Sequence, residues 1–241
     1  MTEADWLACT DAQQLLAFLQ RAGAVSDRKA RLLAVAVCRR VGHLLVHPES
    51  RACVEAAERY ADGLAPAAAV AAARQAAETR LGDAWHGPLA RWHEAAAATA
   101  AEWACWLDEP GEPAEMAAAA GHACERAARA VADAKVYVGA PYVAFAAGPD
   151  PQEQAHQAAL VRDVFGPPPF RRVAFAPAWR TPAAVALARS MYEGRRFEDL
   201  PLLADALEEA GCVDPAILNH CRRPGVHVKG CWVLDLVRSV D

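Results

Sequence analysis

The pattern of apolar and polar positions is helical along most of the chain, and it is clearest between residues 26 and 47. In this stretch, SDRKARLLAVAVCRRVGHLLVH, apolar residues cover most of a predicted helix, and polar residues recur on one narrow stripe. Ser26 is a typical N-cap residue, and Pro48 follows the predicted last residue as a stop. A helix that is apolar over most of its circumference needs neighbours on several sides. We therefore expect this helix to lie inside a bundle.

The remaining chain repeats helical patterns that are separated by glycine and proline. Alanine-rich helices are predicted through the middle of the chain, and short helices alternate with turns after residue 181. Residues 165–182, FGPPPFRRVAFAPAWRTP, contain too many prolines for regular structure, but their aromatic residues favour an arm pinned to the surface. The pattern predicts an all-α fold, a multihelical bundle with short helical hairpins at the C-terminus and an irregular Pro/aromatic arm.

Composition and charge exclude several classes of protein. The net charge is −5, which argues against general nucleic-acid binding, and no run of eighteen uncharged apolar residues predicts a membrane span. The N-terminal sequence is acidic and unlike a signal peptide, so we expect a cytoplasmic protein. The eight cysteines include no CxxC pair, and we interpret most of them as free thiols of a reducing compartment.

The densest group of candidate metal ligands lies near the C-terminus. It consists of Cys212, His220, Cys221, His227 and Cys231. Thiolates and imidazoles are the usual ligands of zinc, although this spacing matches no standard zinc module. On a helix, adjacent His220 and Cys221 point in different directions, whereas His227 and Cys231 are four apart and are able to share a face. The alternative interpretation is that these residues are packed thiols and capping histidines.

A second candidate site is the basic stripe of the central helix. Its members are Arg28, Arg31, Arg39, Arg40 and His43. Arginine is a good bidentate donor, so the stripe is able to hold an anion or an acidic segment of a partner. The alternative is a solvated face whose arginines pair with Glu or Asp of neighbouring helices.

A third hypothesis concerns a planar cofactor. The alanine-rich helices leave room for heme between tryptophans, with His93, His122 or Cys124 as an axial ligand, but alanine equally permits close helix packing. No nucleophile elbow, phosphate loop or dinucleotide-binding turn occurs. A Cys/His nucleophilic pair stays open because its members meet only in space. On balance the sequence favours a protein that is not an enzyme.

Both ends of the chain contain long, specific segments. They are MTEADWLACTDAQQLLAFL, SDRKARLLAVAVCRRVGHLL and VEAAERYADG at the start, and QAALVRDVFG, PFRRVAFAPAW, LPLLADALEEAGC and ILNHCRRPGVHVKGCWVLDL at the end. These segments resemble a family of alanine-rich proteins that is abundant in planctomycete-type bacteria. The resemblance implies one domain over residues 1–241, in which 1–63 and 151–241 pack as a frame around an alanine-rich insert, 64–150. The loop DEPGEP, 108–113, then lies within the insert instead of marking a domain boundary. No activity or site residue comes with this resemblance.

These observations lead to two functional hypotheses. The first is a non-enzymatic interaction or scaffold module that binds another protein, with no cofactor. The second is a metal- or cofactor-binding protein, with zinc or heme, that uses the C-terminal Cys/His group and is possibly an enzyme. Metal content distinguishes the two.

Overall fold

The computed structural model describes residues 1–85, 92–105, 113–137, 149–167, 170–171 and 173–240. Within these residues the chain is all-α, with twelve α-helices and no strand. The helices are α1 Glu3–Ala8, α2 Ala12–Arg21, α3 Asp27–Arg40, α4 Pro48–Ala61, α5 Ala67–Trp85, α6 Trp92–Ala104, α7 Pro113–Tyr137, α8 Pro151–Phe165, α9 Pro182–Gly194, α10 Leu200–Glu209, α11 Pro215–Arg222 and α12 Trp232–Arg238. The predicted multihelical bundle is thereby confirmed. None of the described helices is long and apolar enough to span a bilayer.

The chain forms two compact units, Met1–Ala159 and Leu160–Asp241, and the boundary between them falls within α8. The predicted packing of residues 1–63 with 151–241 stays a prediction. Most of the loop at 108–113 lies outside the described residues, and α7 begins at Pro113.

In the first unit, α3 has the central position that its apolar pattern predicts. Residues 30–38 are buried without interruption, and the helix packs against α4, α6 and α7. Buried alanines line α6 and α7, which lie along each other. Small side chains let two helix backbones approach closely, so this part of the core is built from many small contacts.

The predicted end of the central helix at His47 is wrong. The α-helix ends at Arg40, and a 3-10 turn follows at Gly42–Leu44. Glycine in a helix interior is unfavourable, which explains an end close to Gly42. Pro48 is the first residue of α4, and it holds His47 in an extended conformation. The proline therefore starts the next helix, and the central helix has already ended before it.

In the second unit, α9 to α12 surround one apolar core. Its largest fully buried side chains are Met191, Leu200, Leu203, Leu207, Ile217 and Leu234. The aromatic arm packs on this core through Phe175 and Trp179, and it includes a 3-10 turn at Pro177–Trp179. Arg180 fastens the arm because its guanidinium donates two hydrogen bonds, of 3.2 and 2.9 Å, to the Leu236 carbonyl.

Candidate metal centre

The last turn of α8 places a carboxylate in the interior of the second unit. Asp163 is 3% exposed, and the neighbouring Val161, Val164 and Phe165 are buried apolar residues. Burying a carboxylate is costly unless it is paired or accepts hydrogen bonds. The groups that contact Asp163 therefore decide what this position does.

The first of these groups is carried by α11. Asp214 caps this helix by accepting a hydrogen bond from the Ala216 N–H at 2.8 Å, and Pro215 occupies its first position. Ile217 and Cys221 fix the buried side of the helix in the core. His220 follows in the last turn with a side chain that is only 17% exposed.

The loop between α11 and α12 supplies the remaining groups. The hypothesis that His227 and Cys231 share a helical face is wrong, because α12 begins only at Trp232 and Cys231 is its N-cap. Gly230 has a φ of +90°, a conformation that L-residues rarely adopt, and the Cys231 N–H donates to the Val228 carbonyl at 3.0 Å. The turn at Gly230, and not a shared helical face, therefore brings His227 and Cys231 together.

Four side chains converge at this point. Asp163, His220, His227 and Cys231 each offer one donor atom, and these atoms all lie within 4.8 Å of one another. Asp163 Oδ1 is 2.6 Å from His227 Nδ1 and 3.2 Å from His220 Nε2, and His220 Nε2 is 3.1 Å from Cys231 Sγ. The second carboxylate oxygen, Oδ2, accepts a hydrogen bond from the Val228 N–H at 2.9 Å. The peptide group therefore orients the carboxylate so that Oδ1 faces the two imidazoles.

The electrostatics of the group favour an ionised Asp163. Burial raises the pKa of this carboxyl, but hydrogen bonds from His220 and His227 outweigh the burial and lower the pKa below its ordinary value. Burial likewise lowers the pKa of His227, and the Asp163 carboxylate more than offsets it, so that the pKa of His227 is raised. The Nε2 atom of His227 is buried and makes no hydrogen bond with any described residue.

Cys231 does not have the properties of a catalytic nucleophile. The residue is fully buried, and burial followed by the charge of Asp163 raises the pKa of its thiol well above the ordinary value. A nucleophilic cysteine needs a lowered pKa and access to substrate. In addition, Cys231 and Asp163 approach the same nitrogen of His220, whereas a catalytic triad uses both ring nitrogens. The four side chains form a group that could hold a metal ion.

The other ring nitrogen of His220 is occupied by Trp232. The indole N–H donates to His220 Nδ1 over 3.0 Å, and the two rings meet edge to face with centroids 5.1 Å apart. An indole N–H only donates, so Nδ1 must accept and the proton of the neutral ring lies on Nε2. From there it points towards Asp163 and Cys231.

The structure brings together three of the five residues that the sequence singled out. His220, His227 and Cys231 belong to the cluster, while Cys212 and Cys221 are buried in the apolar core. As expected from their adjacent positions, only one of His220 and Cys221 joins. Sequence reasoning missed Asp163, which is 64 residues before His227.

A usable signal for Asp163 exists in the sequence. Asp163 lies three residues after Leu160, so the two side chains share one face of α8, and Leu160 is a large apolar residue typical of an inward face. An acidic residue on an inward face needs a buried partner.

A surface cavity of about 480 Å³ lies beside the cluster within the second unit. His227 and Cys221 line it together with Phe197, Arg223 and Val226. The cavity therefore borders the His227 side of the cluster.

The basic stripe of α3 is engaged with carboxylates. Arg39 pairs with Glu58 at 3.0 Å, and Arg40 pairs with Glu153 at 2.9 Å, each through more than one hydrogen bond. Arg31 is buried and contacts Asp27 and the Ala104 carbonyl.

Two members of the stripe remain. Arg28 lies 3.9 Å from Asp62, and His43 is in the 3-10 turn beyond the α-helix. All four arginines of the stripe thus have acidic partners within the first unit.

The candidate heme ligands lie in or beside the alanine-rich helices. The side chain of His93 lies outside the described part of the chain. His122 stacks on Trp103 with ring centroids 4.5 Å apart, and burial raises the pKa of the Cys124 thiol to about 12. Both residues line a cavity of about 370 Å³ in the first unit. This geometry singles out neither residue as an axial ligand.

Comparison with known proteins gives no match: no family model, no curated protein and no solved structure resembles this chain significantly. The resemblance to a planctomycete-type family therefore stays a prediction, and function must be argued from the site itself.

Proposed function

We propose that residues 160–241 form a zinc-binding module in which Asp163, His220, His227 and Cys231 hold one structural zinc ion. The observation that carries this proposal is the convergence of four donor atoms of the right chemistry within 4.8 Å. Thiolate, imidazole and carboxylate are the three protein ligands that zinc uses. The proposal develops the second functional hypothesis; a scaffold role in binding another protein stays an untested prediction.

The spacing of the donors supports zinc. A tetrahedral zinc ion with bonds of about 2.0–2.3 Å spaces its donor atoms roughly 3.3–3.8 Å apart. The separations from His220 Nε2 to Cys231 Sγ and to Asp163 Oδ1, 3.1 and 3.2 Å, are close to this range. The 2.6 Å hydrogen bond between Asp163 and His227 is shorter, so zinc binding requires His227 to move outward by roughly 1 Å. A loop residue is well suited to that adjustment.

The groups behind the donors also support a metal. Val228 holds Asp163 Oδ2, which leaves Oδ1 to act as a single ligand atom. Outer hydrogen bonds of this kind orient ligands in metal sites. His227 keeps its second ring nitrogen, Nε2, to carry the proton of a neutral ring that binds zinc through Nδ1.

A structural role agrees better with the burial than a catalytic role. Four protein ligands complete a tetrahedral shell and leave no position for water or substrate. Asp163 and Cys231 are at most 3% exposed. Zinc would join α8, the last turn of α11, the loop and the start of α12 at one point, and its binding free energy would add to the stability of the unit.

The test is the zinc content of matched cysteine variants of the full chain. We expect about one zinc per chain for the wild type and for Cys221→Ala, and at most a tenth of that for Cys231→Ala, measured by inductively coupled plasma mass spectrometry after gel filtration. Both cysteines are buried in the same unit, so loss of a buried thiol is common to both variants. Circular dichroism confirms that each variant is helical.

Two results would contradict the proposal. One is a wild-type chain that retains no zinc after purification from zinc-supplemented cells. The other is equal zinc content in the Cys221→Ala and Cys231→Ala variants, which places the metal elsewhere.

A further inference from the structure

Trp232 occupies an unusual position relative to the proposed site. Its indole N–H donates to His220 Nδ1 at 3.0 Å, and the side chain is buried as the first residue of α12. Histidine ligands of metals usually donate their second N–H to a carboxylate or carbonyl oxygen. Here the second nitrogen of His220 faces a donor instead of an acceptor.

This hydrogen bond is incompatible with zinc on the opposite nitrogen. A neutral imidazole that binds zinc through Nε2 carries its proton on Nδ1. That N–H would then point at the indole N–H, and two donors at this distance repel each other. Zinc binding to His220 must therefore break the hydrogen bond from Trp232.

The surroundings limit how Trp232 is able to respond. Gly166 lies against the indole so closely that a Cβ at this position would be 2.7 Å from Trp232 Cγ. Gly166 has a φ of +71°, so its position is set by a backbone that other residues rarely adopt. The indole ring is thus in contact with the backbone on the Gly166 side. When its hydrogen bond to His220 is broken, the ring is able to move only slightly.

We infer that Trp232 is a positioning residue that holds His220 in the tautomer unable to bind metal, and that it thereby lowers the zinc affinity of the site. The part of this inference that concerns zinc rests on the proposed function. The part that concerns the tautomer of His220 rests only on the hydrogen bond from the indole. We call this effect the threshold role of Trp232: because the affinity is lowered, the site binds zinc only at a higher concentration of free zinc.

Removing the indole N–H should strengthen zinc binding. We expect Trp232→Phe to lower the Kd for zinc about tenfold, which corresponds to about 1.4 kcal/mol. The measurement is competition with a chromophoric zinc chelator, using the full chain. Trp179→Phe is the matched control because Trp179 packs on the same core and makes no contact with His220 among the described contacts. It should leave the Kd unchanged.

A second measurement does not require zinc. Long-range ¹H–¹⁵N NMR of the metal-free chain reports which ring nitrogen of His220 carries the proton. We expect the proton on Nε2 in the wild type and in Trp179→Phe, and a mixture of tautomers in Trp232→Phe. If Trp232→Phe does not fold, benzothienylalanine at position 232 keeps the shape of the indole and removes only the N–H.

The two measurements separate failure of this inference from failure of the proposed function. A proton on Nδ1 of His220 in the metal-free wild type overturns the inference, whatever happens with zinc. An equal or weaker zinc affinity of Trp232→Phe overturns it as well, while the zinc site stands. If no variant binds zinc, the proposed function and the threshold role both fail, and the tautomer experiment alone decides whether Trp232 positions His220.

Discussion

The two units of this chain differ in how one of their buried carboxylates is held. In the first unit, the buried carboxylates Glu58 and Glu153 are each held by an arginine. In the second unit, the buried Asp235 likewise pairs with an arginine, Arg238, but the buried Asp163 is held by two histidines and a peptide N–H. A guanidinium stays protonated and offers no lone pair to a metal, whereas an imidazole does. The partner of the carboxylate therefore decides whether a buried ion pair is only structural or is also a candidate ligand set.

The buried cysteines also differ in their surroundings, and Cys231 stands apart from the others. In the first unit, Cys38 and Cys124 are buried in apolar surroundings that raise the pKa of each thiol. In the second unit, Cys231 is equally buried but lies 3.1 Å from His220. The number of cysteines therefore says little about a metal site, and the groups that surround each thiol say much more.

The largest expected difference between the units is their response to a chelator. Zinc present at about 1,000 times its Kd would stabilise the second unit by about 4 kcal/mol, since only the folded unit binds it. Removing zinc should therefore speed backbone hydrogen exchange in residues 160–241 and leave residues 1–159 unchanged, as measured by mass spectrometry. Equal effects on both units, or none on either, would argue against a metal confined to the second unit.

A substitution at Gly166 tests the packing behind the site. We expect Gly166→Ala to destabilise the second unit by about 3 kcal/mol, since it combines backbone strain at positive φ with a clash against Trp232. Gly211→Ala is the matched control, because Gly211 has a φ of +87° and open space around its missing Cβ. Urea unfolding should show a loss of only about 1 kcal/mol for the control. Equal losses would mean that the indole does not lie against Gly166.

An arginine substitution in the first unit tests the other side of the comparison. Arg40→Met leaves the buried carboxylate of Glu153 without the guanidinium that pairs with it, and it should destabilise the first unit by about 2 kcal/mol. This value is lower than for a fully buried pair because the Arg40 side chain is 26% exposed and solvent screens the interaction. The zinc content should not change. Adding Glu153→Gln should recover part of the loss, because no unpaired charge then stays buried. A fall in zinc content with Arg40→Met alone would mean that a substitution in the first unit changes zinc binding by the second unit.

The smallest expected effect concerns the metal-free second unit and its pH dependence. Asp163 raises the pKa of His227, so this interaction stabilises the fold fully below the ordinary histidine pKa and fades as pH rises through the raised value. Asp163→Asn removes it. We expect the variant to lose about 1 kcal/mol more stability at pH 6 than at pH 8.5, measured by urea unfolding with chelator present. A loss that does not vary with pH would show that His227 does not change its protonation state between pH 6 and 8.5.

Local chemistry explains which parts of this structure were predictable from sequence. Ser26 acts as the predicted N-cap, and Thr181 and Asp214, which are also residue types typical of N-caps, accept a hydrogen bond from the backbone of the helix that each begins. The burial of α3 followed from its apolar circumference. These features depend on residues within a few positions of one another, and the sequence displays them directly.

Most of the features that sequence reasoning missed depend on distant residues. The exception is local: the central helix ends at Arg40 and not at the predicted His47, because Gly42 follows closely. Asp163 and His227 meet across 64 residues, and nothing in their spacing indicates that contact. Cys212 and Cys221 lie close in sequence to the other candidate ligands, but the packing of α10 and α11 buries both side chains in the apolar core.

The most direct test of the zinc site is X-ray absorption spectroscopy at the zinc edge on the full chain loaded with one equivalent of zinc. For zinc held by these four side chains we expect one sulfur at about 2.3 Å and three nitrogen or oxygen atoms at about 2.0–2.1 Å. The sulfur contribution should disappear in Cys231→Ala and persist in Cys221→Ala. A shell of nitrogen and oxygen alone in the wild type, or a sulfur signal that survives in Cys231→Ala, would contradict the account.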